Sequence, residues 1–240
     1  MINKISVVIP AFNESKIIGD CINALNNQIY DKSDFEIIVV DGNSSDNTED
    51  IAKNLGAKVF NFTGNGVSGA RQFGAKKAKY PIIAFTDADT ITAKNWLESI
   101  NILFQNKNIV CCGGVGMPIK KAFLPETAFY VTHVFYLINQ FFGKPLIWGY
   151  NFAIRKSALD AIGGFNEHLP SSEDWDVAIR VVKKYGKKSL IYTNKLKAKT
   201  SSRKLDNVKV LFKYTRDGIV NYYNIVLLGR MKSTKIDIIR

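Results

Sequence analysis

Two carboxylates stand one residue apart in the segment Thr86-Asp87-Ala88-Asp89-Thr90, directly after the apolar run Ile82–Phe85. Short apolar runs of this kind are typical of strands buried on both faces, and open α/β sheets bind ligands at the carboxyl ends of their strands. Hard divalent cations prefer oxygen ligands and are commonly completed by substrate phosphates. The segment therefore predicts a metal and phosphate site. The alternative is a pair of solvated loop acids, with Asp89 capping a helix.

A second acidic pair, Glu173-Asp174, opens a helix predicted over Glu173–Tyr185. Acids in a first helical turn are favoured by the helix dipole, by roughly 0.3–1 kcal/mol, which is the structural explanation. The functional explanation is a general base, which needs a carboxylate within hydrogen-bond reach of an acceptor hydroxyl. Hydrolase chemistry of the Ser/His/Asp type is poorly supported, because the chain has two histidines and no Gly-x-Ser-x-Gly motif.

Two more residues that could bind a ligand follow other strand-like runs. Asp41 comes directly after Phe35–Val40, where it could accept hydrogen bonds from a nucleobase or ribose, or equally form an Asx turn. Arg71 lies at the start of a predicted helix behind a loop with three glycines, so its guanidinium could bind a diphosphate. No Gly-Lys-Ser/Thr sequence follows these glycines, which excludes a Walker motif.

Strand-like runs alternate with amphipathic segments through the first half of the chain, which predicts a mostly parallel sheet covered by helices. Asn13 is the predicted cap of the first helix, and Ser45 or Asp46 that of the second. The predicted strands are Ile5–Ile9, Phe35–Val40, Ala57–Phe60 and Ile82–Phe85, and the helices between them are Glu14–Asn26, Asp46–Leu55 and Gly66–Lys79.

The composition is that of a globular protein with an excess of positive charge. The chain has 240 residues, 46% of them hydrophobic, and a formal net charge of +12. These values exclude collagen-like, mucin-like and disulfide-scaffold classes and favour an anionic partner. The three cysteines have no metal-binding spacing, which favours small buried side chains in a reducing compartment. The aromatic segment 122–148 contains charged residues and two prolines, so no membrane span is predicted.

Taken together, five motifs resemble those of family 2 glycosyltransferases in order and approximate spacing. The resemblance covers roughly the first 190 residues. It implies a GT-A fold, in which a Rossmann-like nucleotide-binding half of about residues 1–115 is joined to an acceptor half of about 116–205. The motifs are Val7-Val8-Ile9-Pro10-Ala11-Phe12-Asn13-Glu14, Val39-Val40-Asp41-Gly42-Asn43-Ser44-Ser45-Asp46-Asn47-Thr48, Ala70-Arg71-Gln72-Phe73-Gly74, Phe85-Thr86-Asp87-Ala88-Asp89 and Glu173-Asp174.

The resemblance also implies inverting transfer from a nucleotide-activated sugar, UDP- or GDP-linked, with Mn²⁺ or Mg²⁺. Asp89 would bind the metal, Asp174 would be the general base, and Glu173 would orient the base or the acceptor. Arg71 and Asp87 would lie near the base, ribose or phosphates, with Ala88 between the two acids. The residues implied for the nucleoside pocket are Pro10, Ala11, Phe12, Glu14 and Asp41.

The segment Trp148-Gly149-Tyr150-Asn151 resembles the glycine-asparagine strand beside the acceptor site of these enzymes, where Trp148 and Tyr150 could stack on a sugar. Thr200-Ser201-Ser202-Arg203 resembles a loop whose basic residue closes over the diphosphate, although a solvated loop would look the same. The Gln-x-x-Arg-Trp signature of processive synthases and their C-terminal transmembrane helices are missing, so a single-addition enzyme is expected. The acceptor could be a sugar, a lipid-linked group or a small molecule.

Residues 206–240 form a predicted C-terminal amphipathic helix and tail. A helix over Asp206–Leu228 would place an apolar row on or near one face, which could dock on anionic lipid at the cytoplasmic face of a membrane or pack against the sheet. A cytoplasmic location is expected, and the oligomeric state is open. The predicted apolar row consists of Val208, Leu211, Phe212, Thr215, Ile219, Tyr222 and Val226.

Two other functions compete with glycosyl transfer. A sugar-phosphate nucleotidyltransferase would carry an N-terminal Gly-x-Gly-Thr-Arg loop, whereas the first strand here runs into Pro10-Ala11-Phe12-Asn13-Glu14. A non-catalytic nucleic-acid-binding protein would need a basic face with interleaved aromatic residues. The basic stretch Lys183–Arg203 has the charge but not that pattern, so no nucleic-acid partner is expected.

Overall fold

The computed structural model describes residues 2–202 and 208–229, and the strands of this part form one eight-stranded sheet. Its order is β3-β2-β1-β4-β7-β6-β8-β5. The strands are β1 (Ile5–Ala11), β2 (Phe35–Asp41), β3 (Lys58–Asn61), β4 (Ile82–Phe85), β5 (Thr90–Thr92), β6 (Cys111–Pro118), β7 (Phe152–Arg155) and β8 (Leu190–Thr200). The α-helices are α1 (Ile18–Asn26), α2 (Thr48–Asn54), α3 (Gly66–Lys77), α4 (Trp96–Gln105), α5 (Phe123–Phe141), α6 (Lys156–Ala161), α7 (Glu173–Tyr185) and α8 (Val208–Asn221).

The sheet divides two hydrophobic cores. Successive side chains of a strand point to opposite faces, and in β1 Ile5, Val7 and Ile9 belong to one core while Val8 belongs to the other. All four are 0% exposed. The predicted interpretation of the apolar runs as strands buried on both faces is therefore confirmed for β1, β2 and β4. The three cysteines are free and buried, as expected.

Parallel pairing is confined to two parts of the sheet. Strands β3, β2, β1 and β4 pair in parallel, which is the predicted arrangement. Strand β7 runs antiparallel to both β4 and β6, β6 pairs in parallel with β8, and β5 runs antiparallel to β8. Since β7 reverses direction between β4 and β6, these two strands point the same way. The carboxyl ends of β1, β2, β4, β6 and β8 therefore lie along one edge of the sheet.

The predicted helix caps differ from those of the structure. Helix α1 begins at Ile18 rather than Glu14, and the residue before it makes no side-chain capping bond. Asn13 instead adopts a left-handed conformation (φ 54°), and its Oδ1 accepts a hydrogen bond from the Ser45 amide at 2.8 Å. Helix α2 is preceded by Asn47, which makes no side-chain capping bond, and Asp46, one residue earlier, accepts from the Thr48 amide at 3.1 Å through Oδ1.

The C-terminal helix leaves part of its predicted apolar row exposed. Helix α8 continues into a π-helical turn, Tyr222–Leu227. Phe212 and Ile219, predicted on or near one apolar face, are 75% and 65% exposed, whereas Asn221 is 0% exposed. Asn221 anchors the helix, because its side-chain amide donates to Ser171 Oγ and Ser172 Oγ at 3.0 and 3.1 Å. The predicted start at Asp206 lies outside the described residues, and the predicted burial of Val226 is confirmed (8% exposed).

Candidate active site

The loops that follow β1 and β2 are bound to each other at the sheet edge. The Asn13 amide donates to Ser44 Oγ and the Glu14 amide to Thr48 Oγ1, each at 2.8 Å. The ring of Phe12 lies against Gly42, where an added Cβ would stand 3.4 Å from Phe12 Cδ2. The predicted nucleoside-pocket residues thus lie at one edge of the sheet, Pro10, Ala11 and Asp41 at the ends of β1 and β2, and Phe12 and Glu14 in the loop after β1.

Asp41 forms an Asx turn, which was one of the two roles predicted for it; the other was contact with a nucleobase or ribose. Its Oδ2 accepts from the Ser44 amide at 2.9 Å and its Oδ1 from Ser44 Oγ at 2.5 Å. The residue is 2% exposed. These bonds fix the loop after β2, and contact with a nucleobase stays a prediction.

The segment Asp87-Ala88-Asp89 lies between β4 and β5, and its two acids contact different residues. Asp87 pairs with Arg71, and its side chain is 34% exposed. Asp89 lies beside the end of β8, because its Oδ1 accepts from Thr200 Oγ1 and its carbonyl oxygen accepts from the Ser201 amide, both at 3.2 Å. Ala88 is buried between them (3% exposed). The predicted position of the pair at the end of a buried strand is therefore confirmed.

Arg71 links the two acidic pairs. Its guanidinium is buried, donates to Asp87 Oδ1 at 2.6 Å through Nη2, and forms an ion pair with Glu173 Oε1 through Nη1. Burial opposes the charge of Arg71, but Asp87, Glu173 and Asp174 together raise its pKa above the usual value. The guanidinium thus neutralises protein carboxylates, where the sequence predicted that it would lie near the base, ribose or phosphates of a nucleotide.

Gly149 lies directly over this guanidinium. A Cβ at residue 149 would stand 2.8 Å from both Nη1 and Nη2 of Arg71, closer than real Cβ atoms come. The backbone N–H of Gly149 also forms a hydrogen bond to Asp174. Glycine is needed here because the backbone lies against the Arg71 guanidinium while its N–H bonds to Asp174.

Asp174 is half-buried at the start of α7, and its Oδ1 accepts from the Trp175 amide at 2.8 Å. Desolvation, followed by the negative charge of Glu173, raises the pKa of Asp174 to about 7. Arg71 and the backbone N–H groups of Trp175 and Gly149 act in the opposite direction. A carboxylate with this pKa can both take up and release a proton near neutral pH, which suits a general base.

Of the residues predicted to contact an acceptor, two belong to an aromatic cluster and a third, Asn151, is fully buried. Trp148 and Tyr150 form an aromatic cluster with Phe129 and Tyr136, with ring centroids 4.9–6.0 Å apart. Asn151 is 0% exposed, and its amide binds Trp96 Nε1 and the carbonyl oxygens of Val115 and Leu196. Asn151 therefore holds β6, β8 and α4 together, and its contact with the acceptor stays a prediction.

Three structural features of the site were not predicted. Trp175 follows Asp174, and its Nε1 donates to Tyr136 Oη at 2.7 Å, which ties α7 to α5. The turn before Glu173 contains Ser172 in a left-handed conformation (φ 60°) and is anchored by Asn221, as described above. No local motif signals these contacts, because they join residues 39–50 positions apart.

Arg203, predicted to close over a diphosphate, lies outside the described residues.

The model of the family described as "Glycosyl transferase family 2" matches residues 6–163, which include four of the five motifs, among them the one that contains Arg71. The chain belongs to glycosyltransferase family 2. A probable glycosyltransferase of Bacillus subtilis, YdaM, is 32% identical over 196 residues, which cover 74% of this chain and 46% of the relative. The glycosyltransferase AglE of Haloferax volcanii is 36% identical over 100 residues, which cover 39% of this chain and 33% of AglE. The chain thus spans between a third and a half of these relatives.

Solved structures confirm that this glycosyltransferase has the GT-A fold. The mannosyltransferase PcManGT of Pyrobaculum calidifontis, crystallised with GDP-Man and Mn²⁺, superposes with a TM-score of 0.77 at 17% identity. The match covers 98% of this chain and 67% of PcManGT. Glucosyl-3-phosphoglycerate synthase of Mycobacterium tuberculosis, crystallised with Mn²⁺, UDP and glucosyl-3-phosphoglycerate, gives 0.67 at 20% identity, with coverage of 95% and 81%. Family membership also decides against the nucleotidyltransferase and the nucleic-acid-binding protein as alternatives.

The end of β4 carries ligand chemistry that suits a divalent cation. Asp89 places a carboxylate at the sheet edge, and carboxylate oxygens suit Mg²⁺ and Mn²⁺. Within residues 2–202 and 208–229, no group of three His, Cys, Asp or Glu side chains could hold a metal ion. Mg²⁺ is commonly bound by one or two carboxylates together with substrate phosphates, and Asp89 can supply one such carboxylate.

Proposed function

We propose that this glycosyltransferase transfers a sugar from a UDP- or GDP-sugar to an acceptor hydroxyl or lipid phosphate, with inversion and with a divalent metal. The observation that carries the proposal is the ion-pair network of Asp87, Arg71 and Glu173. It holds the acidic segment at the end of β4 close to the acidic pair that opens α7. A site for the leaving diphosphate and a general base would then flank one sugar.

Asp174 is the proposed base. Its carboxylate accepts the hydroxyl proton of the acceptor while the acceptor oxygen forms a bond to the anomeric carbon of the sugar. The bond between that carbon and the donor diphosphate breaks, and the diphosphate leaves with the bonding electron pair. Attack from the face opposite the leaving group inverts the configuration. Glu173, held by Arg71, positions Asp174 and keeps its pKa high.

A phosphate acceptor changes what is needed from Asp174. Such an acceptor is already ionised at neutral pH, so no proton has to be removed before it attacks. Transfer to a hydroxyl would depend on Asp174, whereas transfer to a lipid phosphate would depend on it less. The dependence on Asp174 therefore distinguishes the two acceptor classes.

The donor would bind between the loops after β1, β2 and β4. A bound Mn²⁺ or Mg²⁺ would be held by Asp89 and would supply positive charge to the diphosphate. Arg203 is the proposed basic residue of the closing loop, since Ser201, two residues before it, is bonded to Asp89. Trp148 and Tyr150 are proposed to line the acceptor side together with Gly149. The remaining donor residues are Pro10, Ala11, Phe12, Glu14, Asp41, Asp87 and Ala88.

We infer a cytoplasmic location for the enzyme. The support is its cysteine content, because all three thiols are free and buried and the neighbouring Cys111 and Cys112 are both 0% exposed. Free cysteines are usual in reducing compartments. No helix within the described residues is long and apolar enough to cross a bilayer.

Calorimetric titration tests the donor site. UDP, GDP and their sugar conjugates are titrated into wild type and Asp89→Ala with and without Mn²⁺. We expect one nucleotide to bind in a metal-dependent manner and Asp89→Ala to weaken that binding by more than about tenfold, because the carboxylate ligand is lost. Asp20→Asn, which removes an exposed acid on α1, is the control and should bind as wild type does. Binding of equal affinity in all three proteins would refute Asp89 as the metal ligand.

A further inference from the structure

Helix α5 exposes a line of large apolar side chains. Phe123, Tyr130, Ile138 and Phe141 are 86%, 68%, 50% and 84% exposed, and Phe142, which follows the helix, is 73% exposed. Their spacing of three to eight residues places them along one side of the helix. The opposite side packs on the protein through Phe129 and Tyr136.

The C-terminal helix exposes a second line of apolar side chains. Phe212, Ile219, Tyr223 and Leu227 are 75%, 65%, 54% and 49% exposed and recur every seven or four residues. The turn that contains Tyr223 packs against α5, because Tyr222 Oη donates to Asn139 Oδ1 at 2.6 Å and its ring lies 5.1 Å from that of Phe135. The two helices are therefore neighbours. We use the name α5–α8 face for the exposed apolar side chains of both helices and their ends, which are Phe123, Tyr130, Ile138, Phe141, Phe142, Phe212, Ile219, Tyr223 and Leu227.

Positive charge surrounds the α5–α8 face. Lys120 and Lys121 precede α5, Lys144 follows it, and Lys187 packs on the backbone at Gly143, where an added Cβ would stand 3.1 Å from its Cδ. Lys213 and Arg216 are exposed on α8. Among the described residues of α5 and α8 the acids are Glu126 and Asp217, and Asp217 is buried and paired with Arg216.

We infer that the α5–α8 face docks on an anionic membrane surface. Exposed aromatic and aliphatic side chains in contiguous patches mark interaction sites, and aromatic rings favour the interface between lipid and water. Helices with apolar faces and basic flanks bind in the plane of that interface, where each Lys or Arg near the surface is attracted by acidic headgroups. A protein partner would not require basic residues at both ends of the aromatic row.

Docking at this face would bring the catalytic cleft close to the bilayer. Strand β6 ends at Pro118 just before α5, and β8 ends at Thr200 on the same edge of the sheet. The Asp89 segment, bonded to Thr200 and Ser201, lies at that edge. The inference itself depends only on exposure and charge, so it does not require the proposed function to be correct.

Vesicle co-sedimentation of the full chain tests the inference. The vesicles contain phosphatidylcholine alone, or two parts phosphatidylcholine to one part phosphatidylglycerol. We expect binding to the anionic vesicles, weakened by salt, and little binding to the neutral ones. The double variant Phe141→Ser/Phe142→Ser should bind more than about tenfold more weakly, because two rings no longer insert.

Matched control variants distinguish docking through the α5–α8 face from non-specific hydrophobic binding to vesicles. Ile29→Ser and Ile102→Ser remove side chains that are 65% and 53% exposed outside the α5–α8 face, and both should bind as wild type does. Phe212→Ser/Ile219→Ser tests the second helix and should also lose binding. Equal binding of all variants, or no binding of wild type to anionic vesicles, would overturn the inference. So would a self-associated wild type that becomes monomeric in the Phe141→Ser/Phe142→Ser variant, since a second copy would then cover the face.

Discussion

The ionisation of Asp174 should set the pH dependence of the reaction. Desolvation and the charge of Glu173 raise the pKa of Asp174 to about 7. A general base works in its deprotonated form, so activity with a hydroxyl acceptor should be low below pH 6 and rise as pH increases through about 7. The measurement is kcat/KM against pH. Glu173→Gln removes the negative neighbour and should move the rise to lower pH, whereas a profile unchanged in this variant would contradict the assignment.

Arg71 should stabilise the fold through the acids that it neutralises. Removing one partner of a buried ion pair typically costs about 3–5 kcal/mol, because a charge is left buried and unpaired. We expect Arg71→Met to lower the free energy of unfolding by an amount in this range, since Glu173 is buried and would be left unpaired. Urea denaturation measures this change.

The control for Arg71→Met is an exposed ion pair. Lys53 pairs with Glu49 on α2, where its side chain is 53% exposed, so Lys53→Met should cost less than about 1 kcal/mol. Adding Glu173→Gln to Arg71→Met should recover part of the loss, because the uncompensated charge is removed. Equal destabilisation by the Arg71→Met and Lys53→Met substitutions would show that the network does not hold the site together.

At the scale of elements, two glycines with different surroundings should respond differently to replacement by alanine: Gly149 in the short segment before β7 and Gly218 in α8. Gly149→Ala would push the new Cβ into the Arg71 guanidinium, so we expect a loss of about 1–3 kcal/mol, together with lower activity. Gly218→Ala in α8 meets no atom within 4 Å and should stabilise the protein by about 0.5–1 kcal/mol. Thermal and urea unfolding of both variants measures the contrast. A destabilising Gly218→Ala or a neutral Gly149→Ala would contradict this interpretation of the packing.

The sequence predicted the elements whose signals are local. The strand Ile82–Phe85 and the helix Glu173–Tyr185 have the predicted bounds, because an apolar run and a helical periodicity are visible within one segment. The β7–β6–β8 arrangement was not predicted, since it depends on pairings between distant residues and β6 contains three glycines. Periodicity left open whether the apolar row of α8 packs on the sheet, and it could not show that a buried polar residue, Asn221, anchors the helix while Phe212 and Ile219 stay exposed.

The same distinction holds for the candidate site. Motif position correctly placed Asp87 and Asp89 after a buried strand and Glu173 and Asp174 at the start of a helix. The partner of Arg71 could not be predicted in this way, because Arg71 and Glu173 are 102 positions apart and each has a plausible local role. The folded chain gives Arg71 two buried or half-buried carboxylates to neutralise, and this electrostatic requirement determines its position.

At the scale of the whole molecule, the continuous sheet should make the two halves unfold together. Strand β4 of the proposed nucleotide half pairs with β7 of the proposed acceptor half along four residues, and Arg71 bonds to Asp87 in the first and to Glu173 in the second. Two of the three tryptophans, Trp148 and Trp175, lie within residues 116–205, so tryptophan fluorescence reports mainly on that part of the chain. Circular dichroism reports on the helices of both halves.

We therefore expect fluorescence and circular dichroism to give the same melting temperature. A nucleotide and Mn²⁺ bound between the loops after β1, β2 and β4 should raise both melting temperatures equally, since a ligand that binds only the folded state stabilises the whole cooperative unit. Asp89→Ala should melt as the free wild type does when the same ligands are added. Two separate transitions, of which the ligands move only one, would show instead that the halves at about residues 1–115 and 116–205 are independent folding units. In that case the sheet would transmit no stability from the donor side to Asp174.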